Sequence, residues 1–334
     1  MRLEYIGPLL AFAVAWGVTW LCCRPGSWLH FLDHPNARSL HARPTPRTGG
    51  VGVMTGVVAS GLTSAVSGGL DRSVGAALVG ALLLAALGLV DDRRSVSARV
   101  RLLAQLLVAG GFLVMTGPTS GWLAGGLFLV GLVWMANLYN FMDGSDGLAG
   151  GMAVFGFSAF AVAAGLAGEA PLAWVCAGIA AAAAGFLCFN FHPARIFMGD
   201  VGSVPLGFLA GALGLVGCEA GAWPSWFPLL VFSPFIVDAT VTLLQRARRG
   251  ERVWQAHRTH YYQRMVQMGL GHRGTALSAY GLMLGVALSA LGILRVGFSL
   301  QCGIITIWLF IYLILGFLID RAWRRHEATG APRP

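Results

Sequence analysis

The chain contains no lysine, and charged residues of all kinds fill only 11% of its 334 positions. An ordinary soluble domain carries about a quarter charged residues, so too few groups here can face water. That excludes a soluble enzyme, a disordered chain and a nucleic-acid binder. Cysteine is sparse too: Cys22, Cys23, Cys176, Cys188, Cys218 and Cys302 lie in or beside apolar stretches, without metal-ligand spacing. They read as small hydrophobes, not a disulfide scaffold. No internal repeat, low-complexity linker or soluble domain is visible.

What is abundant is apolar: 56% of residues, with a mean hydropathy of +0.70. A bilayer core takes about 20 apolar residues per helix. That rule predicts spans near 5–23, 50–68, 73–90, 100–117, 121–140, 147–168, 170–190, 202–218, 223–244, 275–295 and 300–320. The expected fold is an all-α polytopic membrane protein of about eleven helices, with 1–334 as one membrane-embedded domain. The first span does not read as a cleavable signal: Arg2 and Glu4 make a weak basic flank, and Arg24-Pro25 ends it. Most of the 47 glycines fall inside spans, where small residues let helices approach closely.

Arginine sets the expected orientation. Loops after odd-numbered spans, with the C-terminal tail, hold twenty of the 23 arginines; only Arg2, Arg72 and Arg295 lie opposite. Basic loops stay in the cytoplasm. The N-terminus is then expected outside and the C-terminus inside. The net charge of +9 is mostly this insertion signal.

Carboxylates are more telling, because insertion does not require them. Asp33, Asp91, Asp92, Asp143, Asp146, Asp200 and Asp238 all fall on the expected cytoplasmic side, at span ends or in loops. A face of carboxylates and arginines suits a polyanion held through a divalent metal. Mg²⁺ takes carboxylate oxygens and shares its shell with substrate phosphates, while guanidinium forks fit phosphate oxygens.

Five cytoplasmic segments carry this reading, near 24–49, 91–99, 141–147, 191–202 and 245–274. The first holds Asp33, Arg38 and His41, a proline-stiffened loop and Gly49-Gly50. The second is Asp91-Asp92-Arg93-Arg94, followed by Arg99, Arg101 and Gln105. Adjacent like charges need a cation or proton to offset them. A plain structural account has Asp91 capping the next helix and Asp92 pairing with an arginine. In the third, Asn137, Asn140 and Asp143 recur every three residues, near one helix face, and Asp146 stands where it could cap span six. The fourth runs from Asn190 through Phe197 to Asp200, which glycines flank. The fifth includes His257, Arg258, His260, Tyr261 and Arg264; if helical, it sets His257, His260, Tyr261 and Arg264 on one stripe. Two histidines with no third soft ligand in reach do not make a zinc site. Asp238, inside span nine and four residues after Pro234, is a functional candidate because an intramembrane carboxylate is costly unless paired or used.

Together these segments resemble the polyprenyl-phosphate N-acetylhexosamine-1-phosphate transferase superfamily, which starts bacterial O-antigen, common-antigen and peptidoglycan lipid carriers and eukaryotic dolichol-linked glycans. The likeness runs in order through DHPNARSLHARPTPRTGG, GLVDDRRSVSARVRLLAQ, NLYNFMDGSDGLAGG, FNFHPARIFMGDVGSVPLG, SPFIVD and HRTHYYQR. The resemblance implies that Asp91 and Asp92 handle metal and deprotonate the lipid phosphate. It sets Asn140 and Asp143 at the metal and diphosphate, and Asp200 as the principal Mg²⁺ ligand. Asp146 would face the uracil and Phe197 would stack on it. His257, Arg258 and His260 would grip the phosphates and sugar, with Arg38, His41, Arg99, Arg101 and Asn190 as further substrate contacts. HRTH replaces the triple histidine of the peptidoglycan branch, which argues for simpler UDP-N-acetylhexosamines. Arg99 stands where many members have lysine.

The implied partners are a UDP-N-acetylhexosamine, a polyprenyl phosphate, membrane lipids and a second copy of the chain, with Mg²⁺ as cofactor and Mn²⁺ as its substitute. The implied place is the bacterial inner membrane, with the site on the cytoplasmic face. Two rivals fit less well. A transporter of an anionic solute should show repeated halves and broken helices near the midplane. A CDP-alcohol phosphotransferase should show DGxxAR, but Asp146-Gly147 continues as Leu148-Ala149-Gly150.

Overall fold

In the computed structural model, which describes residues 3–35, 39–41, 43–117, 121–253, 255 and 257–328, the apolar runs are helices. After a 3₁₀ turn at Leu3–Ile6 come α1 (Gly7–Cys23), α2 (Gly49–Val66), α3 (Arg72–Arg94), α4 (Ala98–Thr116), α5 (Gly121–Phe141), α6 (Leu148–Ala167) and α7 (Ala170–Asn190). They are followed by α8 (Asp200–Glu219), α9 (Trp226–Val231), α10 (Ser233–Arg248), α11 (Tyr261–Met265), α12 (Gly271–Gly292) and α13 (Phe298–Ala328). Between α1 and α2, β1 (Leu32–Asp33) pairs antiparallel with β2 (Thr45–Pro46).

Helices occupy all eleven expected positions. Nine helical runs among the described residues are long and apolar enough to cross a membrane, and the seventeen-residue α1 is a shorter apolar one. The chain is therefore a polytopic membrane protein. The ninth expected span is not one helix: it breaks at Phe232, between α9 and α10. Pro234 supplies no backbone N–H and starts a new helix instead. The long basic loop is also shorter than expected. Its helix begins at Tyr261, and a π turn at Val266–Leu270 joins α11 to α12.

α8 is buried along most of its length and packs on α3, α5 and α2. A second group, α1, α2, α7 and α6, packs beside it, and α12 leans on α6. By contrast α13 buries none of its residues and leaves an apolar surface outward. The contact that matters for the site is α3 on α8. A Cβ on Gly88 would lie 2.6 Å from the backbone C and O of Asp200, so only glycine lets the two helices meet there. That approach sets Asp91 and Asp92, at the end of α3, beside the first turn of α8.

Candidate active site

Asp200 is the first residue of α8, where the unpaired N–H groups and the helix dipole favour a carboxylate. Gly199 before it has φ +72°, a left-handed conformation that lets the chain turn into the helix. Asn140, from the end of α5, hydrogen-bonds the Asp200 side chain. Arg101 Nη1, from the first turn of α4, reaches Asp200 Oδ2 at 3.2 Å and Asp91 Oδ2 at 2.9 Å. One guanidinium thus joins the second and fourth expected segments, and Asn140 ties the third to them through Asp200.

The plain account of the aspartate pair holds for Asp92 but not for Asp91, because Ser97 and not Asp91 caps α4. Asp91 Oδ1 accepts from the Val96 N–H at 2.5 Å, in the turn where Ser95 adopts φ 44°. Asp92 is buried, with Oδ1 3.6 Å from Arg47 Nε, and Arg47 also donates to the Asp92 carbonyl. Yet neither aspartate is only structural. Asp91 shares Arg101 with Asp200, and Asp92 Oδ2 accepts from the Val201 N–H at 3.4 Å, in the first turn of α8. Asp143, in the turn after α5, faces the same group. Burial pushes its carboxyl well above the usual carboxylate range, the Asp200 and Asp92 charges push the same way, and the Gly199 N–H opposes them.

A polar cavity of about 520 Å³ gathers these elements. Arg101, Asn140, Asp200, His257 and His260 line it together, with Gln105 and Asn137 on its wall. His257 and His260 do not form the expected helical stripe, because α11 begins only after them. Asp238 explains that start. Its two oxygens accept the N–H groups of Tyr261 (2.9 Å) and Tyr262 (3.0 Å), and His260 Nδ1 donates to Oδ1 at 3.2 Å. The Asp238 carboxylate is thus fully engaged, and it fixes which nitrogen of the buried His260 ring remains. His257 Nδ1 accepts from Thr259, Oγ1 at 2.9 Å, which leaves Nε2–H as its donor. Burial, then the charges of His260 and Arg246, hold His257 down at about 4, so it is neutral near pH 7.

Asp238 also lines a second cavity of about 900 Å³, apolar, bounded by α10, α12 and α13. Tyr261, Tyr262 and Met142 line it as well. The two cavities therefore share a wall at the Asp238–His260 pair.

A different group forms around Asp146. It does not cap α6; its Oδ2 accepts from His192 Nδ1 at 2.6 Å and the Ala194 N–H at 3.1 Å. Asn190 spends both ends of its amide on backbone, Gly147 N and Ile196 O, each at 2.9 Å. It braces the turn. His41 lies against the Phe197 ring, 4.8 Å between centroids, and 3.8 Å from Asp33. The first and fourth segments are stitched by Phe197 N–H to Pro46 O (2.7 Å) and Gly50 N–H to Met198 O (2.8 Å). Arg99 is exposed, Arg258 does not line the polar cavity, and Arg38 lies outside the described residues.

Comparison with known proteins decides the family. The model for glycosyl transferase family 4 matches residues 74–218, from α3 through α8. A Bacillus subtilis protein, a probable undecaprenyl-phosphate N-acetylglucosaminyl 1-phosphate transferase, is 32% identical over 304 residues, covering 86% of this chain and 82% of its own. The chain belongs to glycosyl transferase family 4. A decaprenyl-phosphate N-acetylglucosaminephosphotransferase of Mycolicibacterium smegmatis is 31% identical, over 80% of this chain and 75% of its own. An undecaprenyl-phosphate alpha-N-acetylglucosaminyl 1-phosphate transferase of Yersinia pestis is 29% identical, over 88% and 85%.

The stretch matched to family 4 holds Asp91, Asp92, Arg101, Asn140, Asp143, Asp146 and Asp200, while His257 and His260 lie beyond it. Sequence reasoning missed Gln255 and Gln263, which also line the polar cavity. Gln263 Oε1 accepts the His260 N–H at 3.1 Å, closing the first turn of α11. The glutamine three residues after the future cap position was the available signal.

Proposed function

We propose that this chain transfers an N-acetylhexosamine-1-phosphate from a UDP-N-acetylhexosamine to undecaprenyl phosphate, releasing UMP. The step would open O-antigen or another envelope polysaccharide at the cytoplasmic face of the bacterial inner membrane. In this reading α1 and the α9–α10 pair also cross, giving eleven spans with the N-terminus outside. Lipid, or a second copy in a homodimer, then covers α13. The observation that carries the reading is the pair of adjoining cavities, one polar and lined by Arg101, Asp200 and two histidines, the other apolar. A nucleotide sugar suits the first and a polyprenyl chain the second. The printed names of the relatives join a polyprenyl phosphate to an N-acetylglucosaminyl 1-phosphate.

The acceptor phosphate oxygen attacks the sugar-linked phosphorus, and the bond to the UMP phosphate breaks. Direct attack is preferred because a phosphate monoester, with its second pKa near 6, is mostly dianionic at neutral pH and needs little help from a base. Charge then builds on the phosphate oxygen of the departing UMP. Arg101 answers it with fixed guanidinium donors, and the His257 Nε2–H with a neutral one. Asp238 holds His260 in one orientation beside them.

The donor chemistry fits Mg²⁺. Asp200, Asp143 and the Asn140 amide are hard oxygen ligands, and burial, with the Asp200 and Asp92 charges, pushes Asp143 toward protonation. No three His, Cys, Asp or Glu side chains among the described residues close a metal site by themselves. An ion held by one or two carboxylates plus substrate phosphates is the habit of Mg²⁺. When bound, it supplies positive charge to the diphosphate.

The test is to incubate purified protein with undecaprenyl phosphate, Mg²⁺ and a panel of UDP-N-acetylhexosamines, reading UMP release. Turnover that needs donor, lipid and metal is expected. Folded protein that converts no donor, or works equally well in excess chelator, overturns the proposal.

A further inference from the structure

His272, the second residue of α12, touches two segments that are remote in sequence. Its Nε2 lies 3.2 Å from the Leu40 carbonyl, which can only accept, so Nε2 carries the proton. Its Nδ1 then receives the Ser145 hydroxyl at 2.9 Å and the Asp146 N–H at 3.4 Å. The ring also stacks on His192, 5.7 Å between centroids and 10° between planes. His192 in turn holds Asp146 Oδ2. Asp146 Oδ1 is different. Among the described residues it accepts no hydrogen bond, and His272 Nδ1 stands 3.7 Å away.

We propose that His272 is a positioning residue, which ties the Ser145–Asp146 turn to Leu40 so that Asp146 Oδ1 is presented to the base of the nucleotide donor. This rests on the transferase reading above. One oxygen of the carboxylate is consumed by His192 and Ala194 N–H, so its rotation is fixed. The other is left for an N–H of the ligand. His272 fixes the backbone on which that carboxylate stands, and through Leu40 it fixes the neighbouring His41 that packs on Phe197.

The test compares full-length parent with His272→Phe, His272→Asn and His272→Gln. Phenylalanine keeps a ring over His192 but loses both ties. Asparagine can accept from Ser145 in place of Nδ1, and glutamine can donate to Leu40 in place of Nε2. His272→Phe should raise the donor KM by roughly fivefold to tenfold, as expected for the loss of hydrogen bonds on a buried turn. The KM for polyprenyl phosphate should stay at the parental value, and each amide variant should recover part of the loss. Hydrogen exchange read without substrate should quicken at 39–41 and 144–147 in His272→Phe. A His272→Phe protein with parental donor KM overturns the proposal even if exchange rises, and parental exchange overturns the tie itself. If the parent releases no UMP with any donor, the transferase reading fails, and the exchange measurement still decides whether His272 joins the two segments.

Discussion

Arg101 and Asp200, 99 residues apart in sequence, meet with Nη1 3.2 Å from Oδ2. The same nitrogen serves Asp91 at 2.9 Å, so the guanidinium closes the ends of α3 and α8 against α4. Two jobs follow from this position: neutralising the carboxylates at rest, and meeting phosphate oxygens in the cavity it lines.

Replacing Arg101 separates those jobs. Arg101→Ala should cut kcat/KM for the sugar donor by about 10², the usual scale for one donor aimed at developing charge. Arg101→Lys keeps the charge without the planar fork and should recover only part of that loss. Steady-state kinetics on purified variants decides it, and parental kcat/KM in Arg101→Ala would remove the residue from the reaction.

The carboxylates of this site, and Asn140 with them, were legible because each falls in a short polar segment between apolar runs. Asp91-Asp92, Asn140, Asp143 and Asp200 sit at helix ends, where apolar pattern gives way to charge, and the structure gathers them. The contacts of Asp238 and His272 were not legible. Asp238 meets residues 22 to 24 positions away, and Asp146 meets His272 across 126 positions. No local spacing records such pairs. The break at Phe232 was hidden for another reason: the residues around it are apolar enough to read as one span, although Pro234 marked the place. The histidine stripe failed because periodicity cannot tell where a helix starts when the capping carboxylate comes from another helix.

His257 gives a pH dependence of defined sign. Its folded value of about 4 lies below its ordinary 6.5, so between those values the unfolded chain binds the proton and the folded chain does not. Its contribution is therefore present in full above about pH 6.5 and is lost as pH falls toward 4. His257→Gln removes the titration. The thermal midpoint of the parent should drop more steeply than that of His257→Gln between pH 6.5 and 4. Parallel curves would show that His257 does not titrate as a buried neutral ring.

Orientation can be read without any substrate. Arg248 is exposed at the end of α10, in the most basic loop of the chain. If that loop is cytoplasmic, Arg248→Cys should resist a membrane-impermeant thiol reagent in intact cells and react once the cells are permeabilised. The parent, with its six native cysteines, sets the background. Labelling above that background in intact cells would place the loop, and nucleotide access with it, on the other side.

Asp200 remains the sharpest test of metal against scaffold. Asp200→Asn keeps the size of the side chain and can still accept a hydrogen bond at the start of α8, so the variant should insert and purify like the parent. It loses the ionised ligand and the charge that Arg101 answers. Turnover should fall by roughly 10² to 10³, the scale for losing one contact to transition-state charge. Raised Mg²⁺ or Mn²⁺ should restore part of the rate, because a weakened site fills by mass action. If Asp200 only braces the turn between Gly199 and Gly202, asparagine serves as well in a turn, and rate and metal dependence stay parental. A folded Asp200→Asn protein with parental turnover and an unchanged Mg²⁺ requirement would assign the residue to the scaffold and move the metal question to Asp143 and the Asp91–Asp92 pair.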